Sequence, residues 1–217
     1  MNLAIFDLDH TLLAGDSDHA WGAFMTEHGL VDAEFFRRRN DEFLVQYQQG
    51  TLDINEFLQF TLAPLAEHDP EKLYALRTRF VAERIRPMIT DKARALVESH
   101  REQGHLPVMI TATNAFVTEP IAEEFGFTHL LATRPEKRNG RYTGQYIGTP
   151  TFKEGKITAL EHWLQEQAIK PTESWFYSDS HNDIPLLERV DNPIAVNPDE
   201  QLQARAQAEG WPVITLY

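Results

Sequence analysis

The sequence predicts an α/β fold in which a parallel sheet is covered by helices and a helical segment is inserted after the first strand. Residues 3–6 form an apolar run that predicts a buried strand at the start of the chain. Residues 17 to about 85 carry helical periodicity and no convincing strand. From Pro87 onward, helix and strand patterns alternate, which is typical of a parallel sheet covered on both faces.

Two helices are predicted in the first half of the inserted segment. Ser17 or Asp18 can cap the first helix, and Gly29 follows its expected end. The second helix is predicted at about 32–49 and ends at Gly50, since glycine is favoured just beyond a helix end.

Two further helices are predicted in the second half of this segment. Asp53 and Glu56 have the spacing of a capping box at the start of the third helix, which Pro64 is expected to disturb. Asp69 and Pro70 are typical of the start of the fourth helix.

The remaining elements alternate between helix and strand. Residues 1–13 and 86–217 are therefore predicted to form the core domain, and residues 14–85 a helical cap domain. Asn139-Gly140 predicts the type I′ turn of a small hairpin beside the sheet. The predicted core elements after the cap are helices at about 91–103, 115–125, 153–167, 184–190 and 199–209, strands at 106–110, 129–132, 175–178, 193–196 and 212–216, and the hairpin at 137–147.

Composition limits the classes of partner. The chain has 217 residues, with 33 acidic and 20 basic side chains and a formal net charge of -13, which argues against nucleic acid or an anionic membrane. It has no cysteine, so disulfides, thiolate catalysis and cysteine-ligated zinc are excluded. The sequence shows neither a signal peptide nor an apolar stretch long enough to span a bilayer, and a cytoplasmic location is expected. The oligomeric state stays open.

Polar clusters follow three of the predicted strands. They are Asp7 to Thr11, Thr111 to Asn114, and Asp179 to Asp183. Ligands of open α/β sheets bind outside the carboxyl ends of the strands, so these clusters are expected to meet in one crevice.

Four acids in one crevice would repel one another unless a cation joined them. Asp7, Asp9, Asp179 and Asp183 offer oxygen ligands only, which favours Mg²⁺ over zinc. Lys156, at the start of a helix, can balance the charge of a phosphate substrate.

An anion site is predicted beside these acids. Thr111, at a strand end just before a helix and followed by Ala112, offers a hydroxyl and nearby backbone N–H groups for an oxyanion. Lys153 competes with Lys156 as the cationic residue, and Lys156 is preferred because apolar residues follow it at helical spacing. Metal, anion donors, lysine and paired carboxylates indicate phosphoryl transfer.

These residues also resemble the motifs of a known family. Asp7-Leu8-Asp9-His10-Thr11-Leu12 resembles the D-x-D-x-T-[LV] signature of the haloacid-dehalogenase-like (HAD) phosphohydrolases. Thr111, Lys156 and the segment Asp179 to Asp183 resemble its second, third and fourth motifs in the same order. The chain is most similar to subfamily IB, the phosphoserine-phosphatase-like branch that includes bacterial histidinol-phosphatases. The resemblance implies a Rossmann-like core with a cap inserted after the first strand.

The resemblance implies roles for the acids. Asp7 would attack phosphorus, become an aspartyl phosphate and hold Mg²⁺ through its other oxygen. Asp9 would protonate the leaving alkoxide and later deprotonate water, with its carbonyl on the metal. Asp179 would be a side-chain ligand, and Asp183 would support the metal or its waters. Because dehalogenases lack the second acid, Asp9 argues against C–halogen cleavage.

The resemblance also implies the residues that hold the phosphate. Thr111 would bind the phosphoryl oxygens, and Lys156 would offset the charge between Asp7 and the phosphate. Asn182 would orient the phosphate and Lys156.

Asp16 is the candidate for reading the substrate. In the phosphoserine-phosphatase-like branch, a glutamate nine residues after the nucleophile binds the substrate ammonium, and Asp16 stands at that spacing. The expected substrate is therefore a small amino-bearing phosphate monoester, either histidinol phosphate or phosphoserine. The alternatives are a phosphatase of broad or sugar-phosphate specificity, a metal-dependent glycosyltransferase, and a non-catalytic module that binds Mg²⁺ or phosphate.

Overall fold

The strands of the computed structural model, which describes residues 1–217, form one large and one small sheet. They are β1 (Leu3–Phe6), β2 (Leu106–Thr111), β3 (Leu130–Ala132), β4 (Arg134–Arg138), β5 (Arg141–Ile147), β6 (Ser174–Ser178), β7 (Asn192–Val196) and β8 (Val213–Ile214). Six of them form the large sheet, in the order β3-β2-β1-β6-β7-β8, and every neighbouring pair is parallel. The predicted α/β fold with a Rossmann-like parallel sheet is confirmed.

Helices cover the sheet and fill the segment between β1 and β2. The α-helices are α1 (Ser17–Glu27), α2 (Ala33–Gln48), α3 (Ile54–Glu67), α4 (Pro70–Phe80), α5 (Asp91–Glu102), α6 (Ala115–Glu124), α7 (Glu154–Glu166), α8 (Ile184–Leu187) and α9 (Glu200–Glu209). A π-helix (Val81–Ile85) and a 3₁₀ turn (Arg86–Met88) follow α4, and a second 3₁₀ turn (His181–Asp183) precedes α8. No helix is both long and apolar enough to cross a membrane.

Strand β1 lies in the middle of the large sheet. Phe6, its last residue, is paired with Met109 of β2 and with Tyr177 of β6. All four residues of β1 are buried, because helices cover both faces of the sheet. The residues that follow β1, β2 and β6 are consequently neighbours at the carboxyl edge.

The inserted segment leaves and rejoins the core at one place. Leu13 forms an isolated antiparallel bridge with Ile89, and the amide of Ala14 donates to the carbonyl of Met88. Between these two points the chain contains helices α1 to α4 and no strand. The division of the chain into a core and a cap at residues 14–85 stays a prediction.

Two local predictions for the cap were wrong. Helix α1 is capped by Asp16, whose carboxylate accepts from the amide of His19, and not by Ser17 or Asp18. Helix α3 continues through Pro64 to Glu67. Proline removes a single amide donor, and the buried side chains of Pro64 and Leu65 hold this last turn in place.

The predicted hairpin is confirmed. It belongs to the part of the chain that follows the inserted segment, but it packs against the helices of the cap. Asn139 and Gly140 both have positive φ, 52° and 79°, as the turn between β4 and β5 requires. The hairpin packs on α3 and α4, where the Tyr146 hydroxyl donates to Asn55 and the Lys137 ammonium donates to Tyr74.

Candidate active site

The predicted site residues follow adjacent strands at the carboxyl edge of the sheet. Asp7 follows β1, Thr111 ends β2, and Asp179 follows β6. Asp7 is 5% exposed and Thr111 is 1% exposed, so these groups lie beneath the cap and not on an open surface. Parallel pairing through Phe6 brings the three strand ends together.

Lys156 lies between two of the predicted acids. Its ammonium donates to Asp7 Oδ1 and to Asp183 Oδ2, each at 2.7 Å, and the lysine is only 2% exposed. Ser178 donates to the same oxygen of Asp183 at 2.6 Å. Burial alone would lower the pKa of Lys156, but the charges of Asp183 and Asp7 outweigh it and raise the pKa. The buried lysine therefore stays charged and compensates two carboxylates.

Thr11 lies between Asp7 and Asp179. Its hydroxyl lies 3.2 Å from Asp7 Oδ2 and 3.2 Å from Asp179 Oδ1, and it can donate to either oxygen. Burial raises the pKa of Asp7, against the lowering effect of Lys156. Burial and the charge of Asp7 raise the pKa of Asp179 well above its usual value. Two carboxylates, the buried Asp7 and the half-buried Asp179, lie around one hydroxyl, and their combined negative charge favours binding of a cation.

Asp9 is held by two donors from different parts of the chain. The amide of Ser17, at the start of α1, donates to Asp9 Oδ1 at 2.6 Å, and the Thr113 hydroxyl donates to Asp9 Oδ2 at 2.8 Å. Burial, followed by the charge of Asp16, raises the pKa of Asp9 to about 7. A carboxyl group with such a pKa can both give and take a proton near neutral pH.

The donor set fits a hard divalent cation, although the side chains alone do not form a complete site. No group of three or more His, Asp or Glu side chains is arranged to hold one metal ion. Asp183 Oδ2 is engaged by Lys156, and both carboxylate oxygens of Asp9 accept hydrogen bonds. Asp7 Oδ2 and Asp179 Oδ1 share only the Thr11 hydroxyl, which has one proton, so these two carboxylates can offer the oxygen ligands that Mg²⁺ prefers.

Thr111 is the last residue of β2, and Ala112 follows it in the loop before α6. The Thr111 hydroxyl oxygen accepts from the amide of Thr113 at 3.2 Å, which leaves its proton available to an anion. Both residues line a cavity between the sheet edge and the cap, together with Asp7 and Asp9.

Asn182 and Asp16 both make hydrogen bonds within the protein. The Asn182 amide donates to the carbonyl of Tyr47 in the cap at 3.0 Å and makes no hydrogen bond to Lys156. Asp16 caps α1 through Oδ1 and also lines the cavity. Lys153, the competing lysine, donates to the carbonyl of Gly50, away from the acids.

Sequence reasoning missed several partners of the site. Ser178 and Thr113 hold predicted acids, and Asp199 accepts from the amide and the ring of His181. The only sequence signal for Ser178 is its position at the end of β6, directly before Asp179. Asp199 lies eighteen residues after His181 and carried no sequence signal.

The cavity has a distinctive lining. It contains four carboxylates, three aromatic rings and two histidines, and neither Lys nor Arg. The lining residues are Asp7, Asp9, His10, Asp16, Asp18, His19, Asn40, Phe43, Leu44, Tyr47, Leu52, Ile54, Phe57, Thr111, Ala112 and Thr113.

Comparison with known proteins agrees with this geometry. The model of the haloacid dehalogenase-like hydrolase family matches residues 4–188. The chain is 48% identical over 217 residues to a histidinol-phosphatase of Neisseria meningitidis serogroup C (strain 8013), covering 98% of both chains. A solved structure from Bordetella pertussis Tohama I, of unknown function, has a TM-score of 0.94 and 47% identity, with 100% and 99% of the two chains covered. Substrate-bound phosphoserine phosphatase is similar in fold, with a TM-score of 0.72, 18% identity, and 100% and 93% coverage.

Proposed function

The chain belongs to the haloacid dehalogenase-like hydrolases and is a phosphatase, and from this premise we propose that it is a Mg²⁺-dependent histidinol-phosphate phosphatase. Membership of a hydrolase family sets aside the glycosyltransferase and the non-catalytic module as alternatives. A small phosphate monoester is the substrate class of such enzymes, and the cavity beside Asp7 is the place where its alcohol part would bind.

The observation that carries the choice of substrate is the lining of this cavity. Its four carboxylates, Asp7, Asp9, Asp16 and Asp18, are accompanied by no Lys or Arg. Phosphoserine has a carboxylate that would lie among these acids without a cationic partner, at a high desolvation cost. Histidinol phosphate has an ammonium and an imidazole and no carboxylate, so its charges complement the lining. The 48% identical relative, named a histidinol-phosphatase, supports the same substrate.

The aromatic part of the lining supports this choice as well. Phe43, Phe57 and Tyr47 face the acids from α2 and α3, and Ala112 contributes apolar surface from the core side. Aromatic rings bind both flat rings and cations through their faces. An imidazole side chain is a suitable partner for such a wall.

The proposed mechanism gives different roles to the two acids of the first motif. Asp7 attacks phosphorus and forms an aspartyl phosphate as the ester oxygen leaves. Asp9, held in place by Thr113 and Ser17, gives its proton to that oxygen and later takes one from the hydrolytic water. Lys156 holds Asp7 in position and offsets the negative charge that gathers there.

Metal and anion ligands complete the proposal. Asp7 and Asp179 would hold Mg²⁺ with the main-chain carbonyl of Asp9, and Asp183 would support the metal or its waters. When bound, the ion supplies positive charge that favours attack of one anion on another. Thr111, with the amides around Ala112, binds the phosphoryl oxygens.

The proposed nucleophile can be tested directly. We expect Asp7→Asn to lower Mg²⁺-dependent release of phosphate from p-nitrophenyl phosphate by at least about 10³-fold, because the amide is a very poor nucleophile. A chelator added to the unaltered protein should have an effect of similar size. Thermal unfolding of the variant shows whether the fold is retained, and robust turnover by a folded Asp7→Asn protein would contradict the assignment.

The substrate is tested with a panel of monoesters. We expect kcat/KM for histidinol phosphate to exceed that for phosphoserine by at least about 10-fold, because one uncompensated charge in a buried site costs about 1.5 kcal/mol or more. Glucose 6-phosphate serves as the uncharged-alcohol comparison. Equal values across the panel would favour a phosphatase of broad or sugar-phosphate specificity.

A further inference from the structure

Asp18 is a buried acid without a partner in the protein. It lies in the first turn of α1, is 8% exposed and lines the cavity beside Asp9. Its carboxylate makes no hydrogen bond and no ion pair with any protein group. A buried charge without a partner is costly, so proteins seldom retain one unless something else compensates it.

The other three acids of the cavity are all engaged. Asp7 accepts from Lys156, and Asp9 accepts from the Ser17 amide and from Thr113. Asp16 accepts from an amide of α1 as its helix cap. Asp18 is therefore the one carboxylate of this lining whose compensation must come from within the cavity.

The electrostatic surroundings of Asp18 point the same way. Burial raises the pKa of this carboxyl well above its usual value, and the charges of Asp16 and Asp9 raise it further. Neither Lys nor Arg lines the cavity to oppose this effect. A cation entering the cavity would restore the ionised form and gain a charge-assisted hydrogen bond.

We propose that Asp18 is the residue that binds the cationic nitrogen of the substrate, and that it selects phosphate esters whose alcohol carries such a nitrogen a few bonds from the ester oxygen. The proposal rests on the proposed phosphatase function and replaces the expectation that Asp16 reads the amine.

The short spacing between nitrogen and phosphate follows from the position of Asp18 on α1. The amide of Ser17, the preceding residue, donates to Asp9 at 2.6 Å. Asp9 is the proposed donor of the proton to the leaving oxygen, so Asp18 lies on the side of the site where the alcohol departs. A nitrogen held there is close to the ester oxygen.

The test compares two esters of matched size, 2-aminoethyl phosphate and n-propyl phosphate, which differ in one positive charge. We expect the kcat/KM ratio of the first to the second to fall by about 10- to 100-fold in Asp18→Asn, because a charge-assisted hydrogen bond is lost. Glu34→Gln removes one negative charge from an exposed position of α2 and should leave the ratio as it is.

The possible outcomes distinguish a failure of amine binding by Asp18 from a failure of the proposed phosphatase function. If the unaltered protein turns over p-nitrophenyl phosphate but does not prefer the amino ester, the inference fails and the phosphatase function stands. If it turns over no phosphate ester, the proposed function fails. A fall in the ratio with Asp16→Asn and none with Asp18→Asn would return amine binding to Asp16 and overturn the proposal.

Thermal unfolding without substrate provides a second readout. Asp18→Asn removes an uncompensated buried carboxyl, so we expect the midpoint of unfolding to rise by about 2 to 4 °C. If Asp18 served only to stabilise the fold, its replacement would lower the midpoint of unfolding. A lower midpoint together with an unchanged ester ratio would show that Asp18 is structural.

Discussion

The edge of the sheet and the first turn of the cap both bury carboxylates, but they compensate them differently. Asp7 and Asp18 are 5% and 8% exposed, and both have a raised pKa. Asp7 accepts from Lys156 at 2.7 Å and is close to the Thr11 hydroxyl. Asp18 has no donor.

The two regions have different tasks, and each task needs a different treatment of its carboxylates. Acids that must keep one geometry for every substrate are fixed by the protein's own cations and hydroxyls. Under our proposal, the acid that chooses among substrates keeps its oxygens free for the ligand. Its lack of a partner destabilises the free protein and strengthens binding of a cation.

The largest effect is expected when the carboxylates at the sheet edge lose their cationic partner and become unpaired, as Asp18 is in the cap. Lys156→Met leaves Asp7 and Asp183 buried without their shared cation. We expect a loss of about 3 to 5 kcal/mol in the free energy of unfolding and a fall of about 10²- to 10³-fold in kcat. Urea unfolding and p-nitrophenyl phosphate turnover measure the two effects.

The competing lysine provides the matched control. Lys153 donates to the carbonyl of Gly50 and contacts none of the site acids. Lys153→Met should therefore change stability by no more than about 1 kcal/mol, the net value of one hydrogen bond. Comparable losses of stability and turnover in Lys156→Met and Lys153→Met would show that pairing with the site acids does not make Lys156 special.

The same division explains what the sequence could predict. Asp7, Thr111 and Asp179 are recognisable because each directly follows or ends a strand, and parallel pairing then dictates that they meet. Lys156 could be chosen over Lys153 because apolar residues follow it at helical spacing.

The cap was less predictable, for a physical reason. Asp16, Ser17 and Asp18 are all acceptable helix caps, and only the packed structure decides that Asp16 takes the role. That choice frees Asp18 to face the cavity. Packing also let α3 continue through Pro64, against the local preference.

A buried histidine in the core avoids the cost of burial in a third way, by remaining neutral. His100 is 4% exposed and bonded to the Tyr177 hydroxyl and to His105. Burial, followed by the effect of His105, lowers the pKa of His100 from 6.5 to about 4. The unfolded chain consequently binds more protons between these pH values.

The contribution of neutral His100 to stability is complete above pH 6.5 and is lost as the pH falls toward 4. Between about pH 7.5 and about pH 5, we expect the unaltered protein to lose about 2 kcal/mol more than His100→Asn in the free energy of unfolding. Taking the difference cancels the titration of the site acids, which both proteins share. Parallel pH profiles would show that His100 titrates normally.

The smallest effect concerns the contact between the two regions. Gly50, just after α2, has φ +70°, and a Cβ atom there would lie 2.8 Å from His181 Nε2. His181 cannot easily withdraw, because Asp199 accepts from its ring at 2.8 Å. Gly29 has a similar φ of +65°, but no atom lies within 4 Å of its Cβ position.

We expect Gly50→Ala and Gly29→Ala each to lose about 1 kcal/mol of stability, because both place an L side chain in the left-handed region. Only Gly50→Ala also pushes the cap away from His181, so only this variant should raise KM, by about 5-fold for a 1 kcal/mol weakening of substrate binding. Steady-state kinetics of the two variants measures the difference. An equal KM in both variants would mean that the contact between Gly50 and His181 does not contribute to substrate binding.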